Sequence, residues 1–264
     1  MKIRFRKMHG AGNDFVLADD RDGRFPTDDV EFLRRLGRRR TGVGCEGIVL
    51  LQASAEADVR MRFFNPDGAE QEMCGNGARC LARMAYESGA APERMTIETR
   101  AGIVRAEVRG DGSVRLEMTP ARDWRLGLEA GVGVPVDFAK VGVEHVVARF
   151  EDVDALDVET LGRRLRFHPL FAPGGTNANF VRVDADGGLT LRTYERGVEA
   201  ETLACGTGAT AASLTAARRG WTSLPVPVRC RGGTLIVEGS EERPALTGGA
   251  ETTFVGEVEY GDRI

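Results

Sequence analysis

Lysine is nearly missing from this 264-residue chain: Lys2, Lys7 and Lys140 are the only three among 36 basic residues. A pyridoxal enzyme needs a Schiff-base lysine, and none of these stands beside a glycine-rich phosphate loop. Histidine is equally scarce. His9, His145 and His168 are scattered, and Cys74 and Cys80 have no second cysteine pair at ligand spacing, so no metal site is expected. No apolar run reaches the length of a signal-peptide core or a membrane span, so the expectation is a cytoplasmic protein without a membrane partner. A net charge of −4 supplies no basic face, which excludes nucleic acid as the main partner. At 42% hydrophobic and 29% charged residues, the composition is that of a globular chain, long enough for two modest domains or one large one.

What the chain does have is glycine, five cysteines and a repeat. Cys74-Gly75-Asn76-Gly77-Ala78 and Cys205-Gly206-Thr207-Gly208-Ala209 share the pattern C-G-x-G-A. Thr99-Arg100-Ala101-Gly102 stands before a β-rich run, as Cys230-Arg231-Gly232-Gly233 does at nearly the same offset. Phe64-Asn65 lies over Tyr194-Glu195, and Asn13-Asp14-Phe15-Val16 over Val143-Glu144-His145-Val146. Agreement on one offset points to a duplicated fold.

Each half reads in one order. Strands at 15–18 and 145–148 lead to helices at 28–39 and 158–165, then to strands at 47–51 and 59–64, and at 178–183 and 190–194. A C-G-x-G turn next opens helices at 76–87 and 207–218, which stop at the capping glycines Gly89 and Gly220. The expected class is α+β: two pseudo-symmetric domains, each a mostly antiparallel sheet wrapped around a central helix. The halves are placed at 1–122 and 123–254, with 255–264 crossing back to the first and the active site in the cleft between them. The stretch 120–133, with Pro120 and several glycines, is the expected boundary.

The start of a helix exposes unpaired backbone N–H groups and carries partial positive charge. A cysteine there has a stabilised thiolate, and glycines beside it let an anion approach the amides. Cys74 and Cys205 combine both features. Two such starts suit racemisation or epimerisation next to a carboxylate: one thiolate removes the α-proton, and the other thiol returns one to the opposite face. Amides holding the carboxylate also stabilise the charge it gains, one such donor being worth about 3–4 kcal/mol. Cys45, Cys80 and Cys230 read instead as small buried hydrophobes. A non-catalytic carboxylate binder could use the same helix starts, but would not need cysteine at both.

At these motifs the sequence strongly resembles the diaminopimelate epimerases. The matching stretches are Met8-His9-Gly10-Ala11-Gly12-Asn13-Asp14-Phe15, Phe64-Asn65-Pro66-Asp67-Gly68, Met73-Cys74-Gly75-Asn76-Gly77-Ala78-Arg79-Cys80, Gly175-Thr176-Asn177, Tyr194-Glu195-Arg196-Gly197, and Ala204-Cys205-Gly206-Thr207-Gly208-Ala209. The resemblance implies cofactor-independent interconversion of LL- and meso-diaminopimelate for lysine and peptidoglycan synthesis, by a homodimer. It implies that Cys74 and Cys205 are the acid/base thiols and that Gly75, Asn76, Gly206 and Thr207 hold the reacting carboxylate. Asn13 would help hold the reacting end. Asn65, Asn177, Glu195 and Arg196 would read the distal amine and carboxylate, and His145 would stand near the catalytic cysteines.

Three stretches depart from the family. Val143-Glu144-His145 stands where Asn-Pro-His is common, Gly47 where many members carry glutamine, and Gly249 where they carry proline. Val143 motivates an alternative, a pyridoxal-independent racemase of another amino acid; Asn65, Asn177 and Arg196 speak for diaminopimelate.

Overall fold

The structure, a computed structural model, describes residues 1–261. It divides into two compact units, Met1–Leu116 with the segment from Gly248 onward, and Glu117–Thr247.

The first unit opens with strands β1 (Lys2–Gly10) and β2 (Asn13–Asp19), joined by a tight turn in which Ala11 and Gly12 both adopt positive φ. Helix α1 (Val30–Gly37) follows, then β3 (Gly47–Gln52), β4 (Val59–Phe64), β5 (Glu70–Gln71), helix α2 (Gly75–Glu87), β6 (Arg94–Thr99), β7 (Gly102–Val108) and β8 (Val114–Glu117). β1 and β2 are antiparallel, β2 and β3 parallel, β3 and β4 antiparallel, and β4 runs parallel to β6. β6, β7 and β8 complete an antiparallel meander.

The second unit repeats that scheme. It comprises β9 (Ala121–Leu128), β10 (Val136–Val141), β11 (Val143–Arg149), α3 (Val158–Arg166), β12 (Asn177–Val183), β13 (Leu189–Glu195), β14 (Ala200–Thr202), α4 (Gly206–Arg218), β15 (Val226–Cys230), β16 (Gly233–Gly239) and β17 (Pro244–Gly248). β10 and β11 are antiparallel, β11 and β12 parallel, β12 and β13 antiparallel, and β13 runs parallel to β15. The closing strand β18 (Glu251–Glu259) pairs antiparallel with β1, as β9 does with β10. Residues 262–264 of the expected crossing segment lie outside the described residues.

The register carries the duplication residue by residue. Phe15 faces Gly47 in one parallel pair and His145 faces Asn177 in the other. Both central helices end in the same hydrogen-bonded C-terminal motif. Gly89 N–H donates to Tyr86 and Ala90 N–H to Ala85; Gly220 N–H donates to Ala217 and Trp221 N–H to Ala216. Gly89 and Gly220 have φ of +69°, the left-handed conformation such a cap requires. Ala78, Cys80, Leu81, Ala82 and Ala85 of α2 are buried, as are Ala209, Ala211, Ala212 and Leu214 of α4. A helix this alanine-rich and this enclosed is stabilised by the strands around it more than by propensity alone. The outer helices are amphipathic and capped by aspartate: Asp29 accepts from Phe32 N–H and Asp157 from Thr160 N–H.

Two local features differ from the sequence reading. Strand β9 occupies much of the stretch expected as a boundary; its outer residues are mostly exposed, so the hydrophobic alternation that marks a half-buried strand is weak there. Cys230 is half-buried, because it ends β15 at the turn into β16, while Cys45 and Cys80 lie in the core. No helix among the described residues is long and apolar enough to cross a membrane.

Candidate functional site

Cys74 is the N-cap residue of α2, half-buried and extended (φ −138°, ψ 119°), and Gly75 and Asn76 form the first turn. Its side chain makes no capping bond, so the sulfur is not spent on the helix it precedes. Behind it runs a hydrogen-bonded relay. Arg79 Nη2 donates to Asn76 Oδ1 at 2.9 Å, Asn76 Nδ2 donates to Asn13 Oδ1 at 3.2 Å, and Asn13 Nδ2 donates to the Glu46 carboxylate. Arg39 approaches the other Glu46 oxygen at 3.6 Å and also binds Asp14, which in turn holds Lys7. Burial pushes the Asp14 carboxyl up, but hydrogen bonds from Arg39 and Lys7 outweigh it and hold it below the usual carboxylate range. Arg79 is fully buried, and its Nε also donates to the Gly249 carbonyl. Asn65 follows β4 in a turn closed by Gly68 N–H on its carbonyl, and its side-chain amide has no protein partner among the described residues.

Cys205 stands at the same place in the second unit, as the extended N-cap of α4 before Gly206 and Thr207. It is only 6% exposed. Burial pushes its thiol pKa up, and the neighbouring Glu195 carboxylate pushes it further, against smaller opposing contributions from Thr207 and the Gly208 amide. Cys205 therefore holds its proton. Thr207 Oγ1 lies 3.5 Å from the sulfur, and Glu195 is itself held by Thr202 Oγ1 at 2.9 Å. Gly208 completes the turn: a Cβ there would overlap Asn179 Oδ1 and stand 3.3 Å from the Cys205 sulfur.

His145 is fully buried on β11. Desolvation pushes its pKa down to about 3, with help from the Arg196 charge, so the ring is neutral. Asn179 Nδ2 approaches His145 Nδ1 at 3.2 Å and donates to the Val146 carbonyl at 3.0 Å, while Asn179 Oδ1 accepts from Thr193 Oγ1. That network assigns Nδ1 as acceptor and places the proton on Nε2. Nε2 is buried and has no hydrogen-bond partner among the described residues.

Asn177 is buried, and its side chain joins two backbones: Nδ2 donates to the Glu144 carbonyl at 2.9 Å, and Oδ1 accepts from the Arg196 N–H at 2.8 Å. Arg196 in turn forms an ion pair with Glu144 at 2.8 Å. The first unit thus brings Asn13, Gly75 and Asn76 together at Cys74. The second brings Glu195, Gly206 and Thr207 together at Cys205, with Asn177 beside Arg196 and His145 next to Glu144 in sequence. Sequence reasoning missed Glu46, Arg79 and Asn179, which support these groups from behind; Arg79 lay within a quoted motif, and Asn179 two residues beyond another. Gly47 also has a steric reason, since a Cβ there would run into the Phe63 ring.

Cys45 and Cys80 are a contrast. Burial raises both thiols, Cys80 to about 12, so they remain protonated core residues. Among the described residues no three His, Cys, Asp or Glu side chains are placed to hold a metal ion.

Two units, each a sheet wrapped around a central helix, form a fold with solved examples. The chain superposes on a phenazine biosynthesis protein of the PhzF family from Bacillus anthracis with a TM-score of 0.73 at 19% identity, covering 98% of this chain and 100% of that one. A probable proline racemase from Agrobacterium radiobacter K84 superposes with a TM-score of 0.67 at 20% identity, covering 97% and 93%. Sequence narrows the class. A diaminopimelate epimerase of Archaeoglobus fulgidus is 42% identical over 272 residues, covering 97% of this chain and 96% of its own, and one of Aquifex aeolicus is 40% identical, covering 97% and 98%. Residues 5–124 and 138–253 match the diaminopimelate epimerase family, and the chain belongs to it.

Proposed function

We propose that this chain interconverts LL- and meso-diaminopimelate by moving a proton between Cys74 and Cys205 through the substrate α-carbon. The observation that carries the reading is the equivalent placement of the two thiols, each the uncapped N-cap of a central helix opening with glycine. Amides of Gly75, Asn76, Gly206 and Thr207 would take the α-carboxylate, where helix-start N–H groups stabilise the charge that grows as the proton leaves.

In this reading Cys205 starts as the thiol and Cys74 as the base. Cys74 sulfur takes the α-proton, the electron pair moves onto the carboxylate, and Cys205 delivers its proton to the opposite face. The product leaves with the two sulfurs' protonation states exchanged, so the enzyme runs in either direction. The pair carries one proton between its two sulfurs, and their titrations are coupled. Glu195 holds the Cys205 proton before transfer, and neutral His145 contributes no charge to the site. Asn13 supports Asn76 at the reacting end, while Asn65, Asn177 and Arg196 serve the far end. A homodimer in the cytoplasm belongs to the same proposal.

Incubation in D₂O with LL-diaminopimelate, without pyridoxal, tests it by mass spectrometry of α-deuteration. Label in diaminopimelate supports the reading. Label appearing only in another amino acid of a panel would redirect it to that substrate, the alternative that Val143 favours. No exchange by reduced protein would reject catalysis.

A further inference from the structure

The Glu144–Arg196 pair has no counterpart in the proline that commonly stands at position 144 in this family, and its geometry leaves one edge of the arginine unused. Arg196 Nη1 donates to Glu144 Oε2 at 2.8 Å and approaches the Gly174 and Gly175 carbonyls at 3.3 and 3.5 Å. Its Nε and Nη2 have no protein acceptor among the described residues. Nε and Nη2 form the side-on edge that binds a carboxylate through two parallel hydrogen bonds. Four arginines among the described residues use that edge on a carboxylate: Arg21 on Asp19, Arg62 on Glu70, Arg192 on Glu201 and Arg219 on Asp137, at 2.5–3.0 Å.

Glu144 is also incompletely used. One oxygen takes Arg196, the other lies 3.4 Å from the exposed Lys140 ammonium, and a carboxylate offers about four acceptor directions. Burial alone would raise its pKa, but its backbone amide and Arg196 outweigh that and keep it ionised. Both side chains are partly exposed, Glu144 by 29% and Arg196 by 26%. Asn177 ties the backbones of the two residues together, so the pair is fixed before any ligand arrives. Next to them Val143 has lost the polar side chain that an asparagine would offer.

A fixed pair of opposite charges, each with a free hydrogen-bonding direction, complements a ligand end that is itself a zwitterion. A lone carboxylate would meet Glu144 as a like charge, and a lone ammonium would meet Arg196. We propose that Glu144 is a specificity-determining residue: Arg196 takes the distal carboxylate of the substrate on Nε and Nη2, and Glu144 takes the distal ammonium. This rests on the diaminopimelate reading above and assigns the far-amine contact to a residue that stands where proline is common in the family.

The test compares two substrates by α-deuteration kinetics: LL-diaminopimelate, and L-2-aminopimelate, which keeps both carboxylates and lacks the far amine. Wild type favours diaminopimelate in kcat/KM. Glu144→Gln raises KM for diaminopimelate about tenfold, the effect of losing one charged hydrogen bond, with kcat nearly unchanged, and leaves KM for 2-aminopimelate unchanged or lower. Glu144→Asp, which keeps the charge, retains the discrimination and controls for folding. Equal KM increases for both substrates would assign Glu144 only to positioning Arg196 and overturn the proposal. A lower KM for diaminopimelate would make Glu144 a competitor for Arg196 and overturn it too. Wild type that labels neither substrate would instead remove the underlying reading, and this one with it.

Discussion

Arg79 Nη2 donates to Asn76 Oδ1 at 2.9 Å from a guanidinium with no solvent exposure. The bond fixes which way the Asn76 amide faces, and hence presents Nδ2 to Asn13. Arg79→Met keeps the apolar stem and removes the donor, leaving Asn76 Oδ1 and the Gly249 carbonyl short of partners. The expected cost is about 1.5–3 kcal/mol of stability, read as a lower urea midpoint, with kcat/KM reduced as well. A midpoint equal to wild type would refute this role.

Gly208 and Gly75 both lie in the first turn of a central helix but differ sterically. A Cβ at Gly208 would strike Asn179 Oδ1 and crowd the Cys205 sulfur, whereas one at Gly75 meets nothing within 4 Å. Gly208→Ala should therefore lower the melting temperature and activity together, while Gly75→Ala should leave the melting temperature near wild type. Circular dichroism melts of both variants check this, and the reverse order would contradict it.

His145 titrates well below its ordinary range, at about 3, because burial disfavours the imidazolium. Its ring resonances in NMR should not move between pH 5 and 8. The unfolded chain binds a proton near pH 6.5 that the folded chain refuses. This residue's contribution to stability is thus complete above pH 6.5 and is lost as pH falls toward 3, with a slope of up to about 1.4 kcal/mol per pH unit. His145→Asn should remove that part of the slope in urea titrations across pH 4–6.5; an unchanged slope would count against the buried neutral ring.

Cys205 is enclosed and kept protonated by burial and Glu195, while Cys74 is half-buried. Thiolates alkylate and thiols do not, so iodoacetamide at neutral pH should label Cys74 before Cys205 in peptide maps of free enzyme. Glu195→Gln removes the negative charge beside Cys205 and should speed its labelling. Prior modification of Cys205 in wild type would reverse the assignment of base and acid.

Much of the fold was legible because the duplication preserved spacing. The parallel registers Phe15 to Gly47 and His145 to Asn177 both carry the offset visible in the sequence. Gly89 and Gly220 were readable as helix ends because a left-handed cap favours glycine. Strand β9 was not readable, since its outer residues face solvent and carry little apolar alternation.

At the site, Cys74 and Cys205 were identifiable from glycines that follow them in the chain. Glu195 beside Cys205 was not expected there, because that approach depends on β13 and the start of α4 meeting in space. The same holds for Glu46 on Asn13 and for Asn179 on His145, pairs formed between residues more than thirty positions apart. In the sequence Glu144 stands out only as a departure from the family pattern; its bond to Arg196 exists only in the folded chain.

The two-thiol account is tested most directly by α-deuteration of LL-diaminopimelate in D₂O by purified Cys74→Ala and Cys205→Ala beside wild type, each verified as folded. The account predicts rapid label and meso product with wild type, and no meso product with either variant. Continued epimerisation by either single variant would contradict it.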